Sequence, residues 1–140
     1  MKQVLLIGIL VTALSCSSSK QVSAPKLSNN QTFVLTEISK DKFYGLTYAN
    51  PVKVGGIKTN EGPLNERRFL NALAGPNGEA VSYYRAGSCC PVKSKNGFMG
   101  KALLDNYRVT WEGTTDTVSI YINMYDIGEL KAPVGFTIKK

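Results

Sequence analysis

The least common chemical feature of this sequence is a pair of adjacent cysteines, Cys89 and Cys90, within Arg85-Ala86-Gly87-Ser88-Cys89-Cys90-Pro91. In an oxidising compartment two thiols this close tend to pair. Neighbouring Cα atoms lie about 3.8 Å apart, whereas ordinary disulfides span about 4.4–6.8 Å, so a bond between them closes a strained, easily reduced ring. Three states are open: a ring that locks a turn, two free thiols of which one is buried, or a redox or soft-metal site. Pro91 pushes the residue before it toward extended backbone, and the segment reads as an irregular loop.

A third cysteine, Cys16, follows Lys2, an apolar run from Val4 to Leu14, and Ser15. A positive start, about 11 apolar residues and a small residue before the cut are the parts of an export signal. The run is shorter than the roughly 20 residues that span a bilayer. Ala13-Leu14-Ser15 fits ordinary signal peptidase, while a lipobox-like reading ends at Cys16, whose thiol would take a diacylglycerol. The usual lipobox has a large aliphatic residue three places before the cysteine; here Ala13 stands there and Leu14 follows. Ser17-Ser18-Ser19-Lys20 and a polar stretch through Asn30 favour a lipidated Cys16 on a tether, with palmitate-type chains holding the protein at a membrane. The expected organisation is a signal peptide over 1–15, a lipidated cysteine and flexible tether over 16–30, and one domain over 31–140.

The remaining inventory is largely exclusion. With no histidine, the chain cannot supply a Ser-His-Asp triad, a Cys-His pair or a histidine-ligated zinc site. Gly55-Gly56 lacks the spacing of a phosphate-binding loop, so no cofactor, metal site or catalytic residue is predicted. Among the ten carboxylates, Asp105, Glu112, Asp116 and Asp126 read as solvated or turn-capping. Lys93, Lys95 and Lys101 lie near the cysteines in sequence, but a Schiff-base lysine needs a desolvated pocket that no motif marks.

The elements that must carry these residues are mostly strands. Residues 32–38 and 43–48, joined by polar 39–42, predict a hairpin. Residues 60–63 can open a short helix, with Phe69, Leu70 and Leu73 at helical spacing before Gly75-Pro76. Asn77-Gly78 also permits a hairpin pairing 68–73 with 80–85. Residues 81–85 alternate as a strand. So do Tyr107, Val109 and Trp111, and, after a turn at 113–116, Val118, Ile120, Ile122 and Met124. A short strand over 134–138 can close an edge. The fold class is α+β or mainly β: an antiparallel sheet or small barrel with one short helix.

A net charge of +7 could draw anionic partners, but the basic pairs are scattered and form no five-residue block. They read as a solubilising surface, and nucleic acid is not an expected partner of an exported chain.

Five segments carry a family resemblance: Asn65-Glu66-Arg67-Arg68-Phe69-Leu70-Asn71-Ala72-Leu73, Gly75-Pro76-Asn77-Gly78, Gly87-Ser88-Cys89-Cys90-Pro91, Asn96-Gly97-Phe98-Met99-Gly100 and Tyr121-Ile122-Asn123-Met124-Tyr125. Over roughly residues 43–138 the chain resembles a family of small cell-envelope lipoproteins of Gram-negative bacteria, often labelled 2-dehydro-3-deoxyphosphooctonate aldolase. The resemblance carries no catalytic residues. It implies an outer-membrane lipoprotein, with Ser17 rather than an acidic residue after Cys16. The aldolase label conflicts with size, because the (β/α)₈ barrel of such an enzyme takes about 250 residues. The expected function is therefore a membrane-anchored, non-enzymatic binding or structural domain. It would bind another envelope protein or a glycan, with Tyr83, Tyr84, Tyr121 and Tyr125 as contact residues. The alternatives are a lyase, as the label says, or a thiol redox protein using Cys89 and Cys90.

Overall fold

The computed structural model describes residues 22–140; the leader, Cys16 and the start of the tether lie outside the described residues. Its centre is an open four-stranded sheet in the order β3-β7-β6-β5. These strands are β3 (Val52–Lys53), β5 (Val81–Phe98), β6 (Lys101–Trp111) and β7 (Val118–Asn123). The β6–β7 hairpin forms where the alternation placed it, with Tyr107 opposite Ile120 and Val109 opposite Val118. Strand β3 joins β7 in parallel, which makes the sheet mixed. No barrel closes. β1 (Leu27–Asn29) and β2 (Thr32–Phe33) form one small antiparallel pair, β4 (Leu73–Ala74) and β8 (Thr137–Ile138) another.

Helix α1 (Gly62–Leu70) has Pro63 in its first turn and Arg67 and Arg68 in its last, where cations favour the carbonyl end. Phe69 and Leu70, fully buried, share the core with Leu73, Val52, Val54, Val109, Ile120 and Ile122. Burying each side chain of this size stabilises the fold by about 1.5–3 kcal/mol. Trp111 closes one end edge-on against Phe136, ring centroids 5.2 Å apart.

Four local expectations change. The 32–38/43–48 hairpin does not form. Instead Gln31 N–H bonds Asn29 Oδ1 (2.8 Å) and turns β2 back onto β1, inside the segment read as tether. Residues 43–48 wind into turns around Asp41, whose carboxylate accepts from Phe43 N–H (2.8 Å) and Asn50 Nδ2 (2.8 Å). The helix stops before Leu73, because Asn71 Nδ2 bonds Gln31 O (2.8 Å) and the next residues leave to pair with β8. Asn77-Gly78 does lie in a turn, but it is bridged only at Ala74–Ala80. Finally, the cysteine segment is no loop: it lies within the 18-residue β5, whose pairing with β6 shifts register between Arg85 and Gly87, Cys89 and Val92, and Lys93 and Phe98. Pro91, which has no N–H to give a ladder, sits in the middle shift, as proline within a sheet requires.

Candidate functional site

Two periodicities meet over the inner face of the sheet. Residues two apart on a strand share a face, so β6 turns Asp105, Tyr107 and Val109 toward the side that receives Ile120 and Ile122. Residues three or four apart share a helix face, so Glu66 lies beside Gly62, Phe69 and Leu70. An acid is thus carried into the core. Glu66 is completely buried and accepts a hydrogen bond from Tyr107 Oη at 2.9 Å.

Asp105, 4% exposed, anchors the neighbouring half of the cluster. It takes two bonds from Arg85, Nε at 2.6 Å and Nη2 at 2.9 Å, and a third from Ser88 Oγ at 2.8 Å. Arg85 Nη2 also donates to Ser88 Oγ at 2.6 Å, so guanidinium, hydroxyl and carboxylate form a closed triangle. Tyr83 packs edge-on against Tyr107 and donates to Asn71 Oδ1 at 2.7 Å.

Burial, reinforced by the nearby charge of Asp105, pushes Glu66 up to about 8, against the opposing hydrogen bond from Tyr107. At neutral pH Glu66 is a neutral acid. Its Oε1 is buried with no donor facing it, an arrangement that disfavours a carboxylate and suits a carboxylic acid. The nearby Asp105 carboxyl favours that protonated form as well. Burial and the Glu66 carboxyl together hold the Tyr107 phenol far above its ordinary range. Hydrogen bonding to Asp105 raises the Arg85 guanidinium.

Two neighbouring carboxyls, one of them held neutral, are acid/base machinery wherever a substrate can reach them. Here the reacting oxygens are shut inside, and only Arg85 and Ser88 reach solvent.

The cysteines adjoin this cluster. Ser88 is paired with Asp105 and Cys89 with Leu104, one step further along the same ladder. Cys89 and Cys90 are joined by a disulfide, their Cα atoms 3.7 Å apart, and both are half-buried. Cys90 holds φ at +53°, in the left-handed region that a non-glycine residue occupies at a cost. Of the three states open from sequence, the bonded ring is the one present.

The other sequence candidates scatter. Lys93, Lys95 and Lys101 are exposed on the β5–β6 hairpin, remote from the desolvation a Schiff-base lysine needs. Asp105 is buried rather than solvated, which corrects the reading made from its sequence context. Asp116 Oδ1 accepts from Thr117 N–H at 2.7 Å and Glu112 is exposed. Asp126 accepts from Ser94, Asn96 and Asn123. Burial pushes Asp126 up, yet those three bonds outweigh it and hold the carboxyl below its ordinary range. Tyr84 is exposed and Tyr121 and Tyr125 are half-exposed, whereas Tyr83 is engaged with Asn71. A groove of about 630 Å³ runs between the 75–80 turn and the carboxyl end, touching Tyr83 but neither carboxyl of the buried pair. Among the described residues no group of three or more His, Cys, Asp or Glu is placed to hold a metal ion.

Glu66, Tyr107 and Arg85 escaped the sequence reading as a site. A signal was available for Glu66, which stands three residues before Phe69 and four before Leu70, on the apolar face of the helix. The chain matches no family model, no curated protein and no solved structure.

Proposed function

We propose that this is an exported cell-envelope lipoprotein, anchored at the outer membrane through a lipidated Cys16, whose domain binds an envelope protein or glycan without catalysing a reaction. One observation supports the non-enzymatic reading: in the polar cluster Glu66-Tyr107-Asp105-Arg85-Ser88 both acids are buried and bonded to Tyr107, Arg85 and Ser88, turned away from solvent. Such a cluster holds α1 and β5 onto β6; it offers no carboxyl oxygen to a substrate. The opposite face of the sheet has the composition of a contact surface. Arg108 lies between Tyr84 on β5 and Ser119 on β7, Tyr121 is next along β7, and none of the four is buried. Tyrosine and arginine are enriched in binding surfaces because each combines a large contact area with hydrogen-bonding capacity.

Intact-mass measurement of the membrane-extracted protein tests the anchor, which requires loss of residues 1–15 and acyl mass on Cys16; an unacylated mass refutes it. Cross-linking in intact cells tests the binding face. Adducts that persist in Cys89→Ser/Cys90→Ser but vanish in Tyr84→Ala/Arg108→Ala support binding through the sheet, and adducts indifferent to Tyr84 and Arg108 oppose it.

The half-exposed disulfide favours a second reading, a thiol redox protein. An external dithiol would attack one sulfur, pass through a mixed disulfide, and leave Cys89 and Cys90 as two thiols while itself becoming oxidised. Turnover of a dithiol that disappears in Cys89→Ser would favour this reading over the first. The lyase alternative stands or falls on substrate-dependent borohydride trapping of a lysine.

A further inference from the structure

The hairpin joining β5 to β6 ends in two large apolar side chains that touch little of the protein. Phe98 is 85% exposed and Met99 84%. The turn holds them there. Met99 and Gly100 both adopt positive φ, +50° and +76°, the pairing that matches a tight hairpin to the twist of its strands. Glycine or asparagine normally occupies the first of these positions, so a methionine held there in solvent is a conformational cost without a packing return. Gly97 is fixed by contact: a Cβ there would collide with the Lys101 carbonyl, so the backbones close tightly beneath the tip.

Within the hairpin's own sequence the charge has one sign. From residue 80 to residue 104 the chain has Arg85, Lys93, Lys95 and Lys101 and no acidic residue at all. Lys93 and Lys101 are direct cross-strand partners, an arrangement that repels unless an anion lies between or beneath them. Asp126 is the carboxylate nearest in the bonding pattern, and it is taken up by Ser94, Asn96 and Asn123 at the hairpin's base.

An apolar tip on a hairpin whose strands carry three exposed lysines is complementary to a surface that is anionic outside and hydrocarbon within. We propose that the tip of the β5–β6 hairpin is a membrane contact, in which Phe98 and Met99 enter the interface of an anionic bilayer while Lys93, Lys95 and Lys101 pair with its phosphates. This goes beyond the Cys16 anchor and does not depend on it. Where both operate, the anchor holds the domain near a bilayer and the hairpin sets which way the domain faces. Attraction of the lysines is screened by salt, whereas the apolar contribution is not.

The test uses the full chain with Phe98→Trp, mixed with vesicles whose acyl chains carry bromine quenchers. Wild type, with Trp111 as its single tryptophan, is the background. On vesicles of equal parts phosphatidylcholine and phosphatidylglycerol, the introduced indole should shift to shorter wavelength and be quenched. On phosphatidylcholine alone, or on the mixed vesicles at high salt, both signals should be largely lost. Phe98→Ser/Met99→Ser should weaken binding of an unacylated Cys16→Ala chain to the mixed vesicles by about tenfold or more. An indole that stays water-like and unquenched on the mixed vesicles overturns the proposal, as does one that shifts only when envelope protein is added. Quenching that persists in Cys16→Ala supports the hairpin contact even if the lipoprotein reading fails, and absence of acyl mass on Cys16 refutes the anchor without touching the hairpin.

Discussion

Replacing Glu66 with glutamine probes the buried acid pair through its effect on stability as a function of pH. In the folded chain the Glu66 carboxyl is raised from 4.5 to about 8, chiefly by burial and then by the charge of Asp105. The unfolded chain gives up this proton near its ordinary value. Between the two pKa values the folded state holds one proton more than the unfolded state, so stability falls as pH rises through this window and is lowest above about 8. One pKa unit corresponds to about 1.36 kcal/mol, so raising the pH from below 4.5 to 7 removes roughly 3 kcal/mol, and raising it beyond 8 removes roughly 5 kcal/mol. These are large fractions of the 5–15 kcal/mol that holds a typical domain together. No histidine competes in this range. Glu66→Gln keeps the shape, removes the proton equilibrium, and places an N–H donor where the protonated Oε1 would stand. Urea unfolding from pH 5 to 9 should show the wild-type midpoint falling with pH and the variant's midpoint falling much less. The variant should be the more stable of the two above pH 8. A wild-type profile that is flat over this interval, or an equal slope in Glu66→Gln, would refute the assignment of Glu66 as a buried neutral acid.

Three other outcomes follow from the same cluster and its neighbour. Tyr107→Phe removes the 2.9 Å hydrogen bond to Glu66 Oε2; it should cost about 1–3 kcal/mol by chemical denaturation and move the Glu66 transition to higher pH. Arg85→Ala leaves the buried Asp105 carboxylate without its cation; because the Arg85 side chain is 47% exposed, the loss should be about 2 kcal/mol, below the 3–5 of a wholly buried pair, and an unchanged denaturation midpoint would contradict the role given to Arg85. Iodoacetamide should leave Cys89 and Cys90 unmodified in the native protein and label both after a reductant; immediate labelling of both thiols would eliminate the disulfide.

Alternation and helical spacing were enough to find the β6–β7 hairpin, the strand beginning at Val81 and the helix that buries Phe69 and Leu70. Each is a local pattern repeated over several residues, and burial of one face rewards it wherever the rest of the chain lies. The turn at Asn77-Gly78 was legible from its dipeptide alone. The vicinal disulfide was likewise legible as one of a few states, because adjacency in sequence is adjacency in space. What tertiary structure decided was every pairing across long separations. β3 runs parallel to β7, Asn71 reaches back to Gln31, and residues 43–48 coil around Asp41 despite their β-branched and aromatic content. The buried site belongs to the same class. A lone glutamate on a helix and a lone aspartate on a strand each look ordinary in sequence. Only when α1 packs on β6 does each lose its water and acquire the other as neighbour, and desolvation together with like charge then turns one carboxyl into a neutral acid.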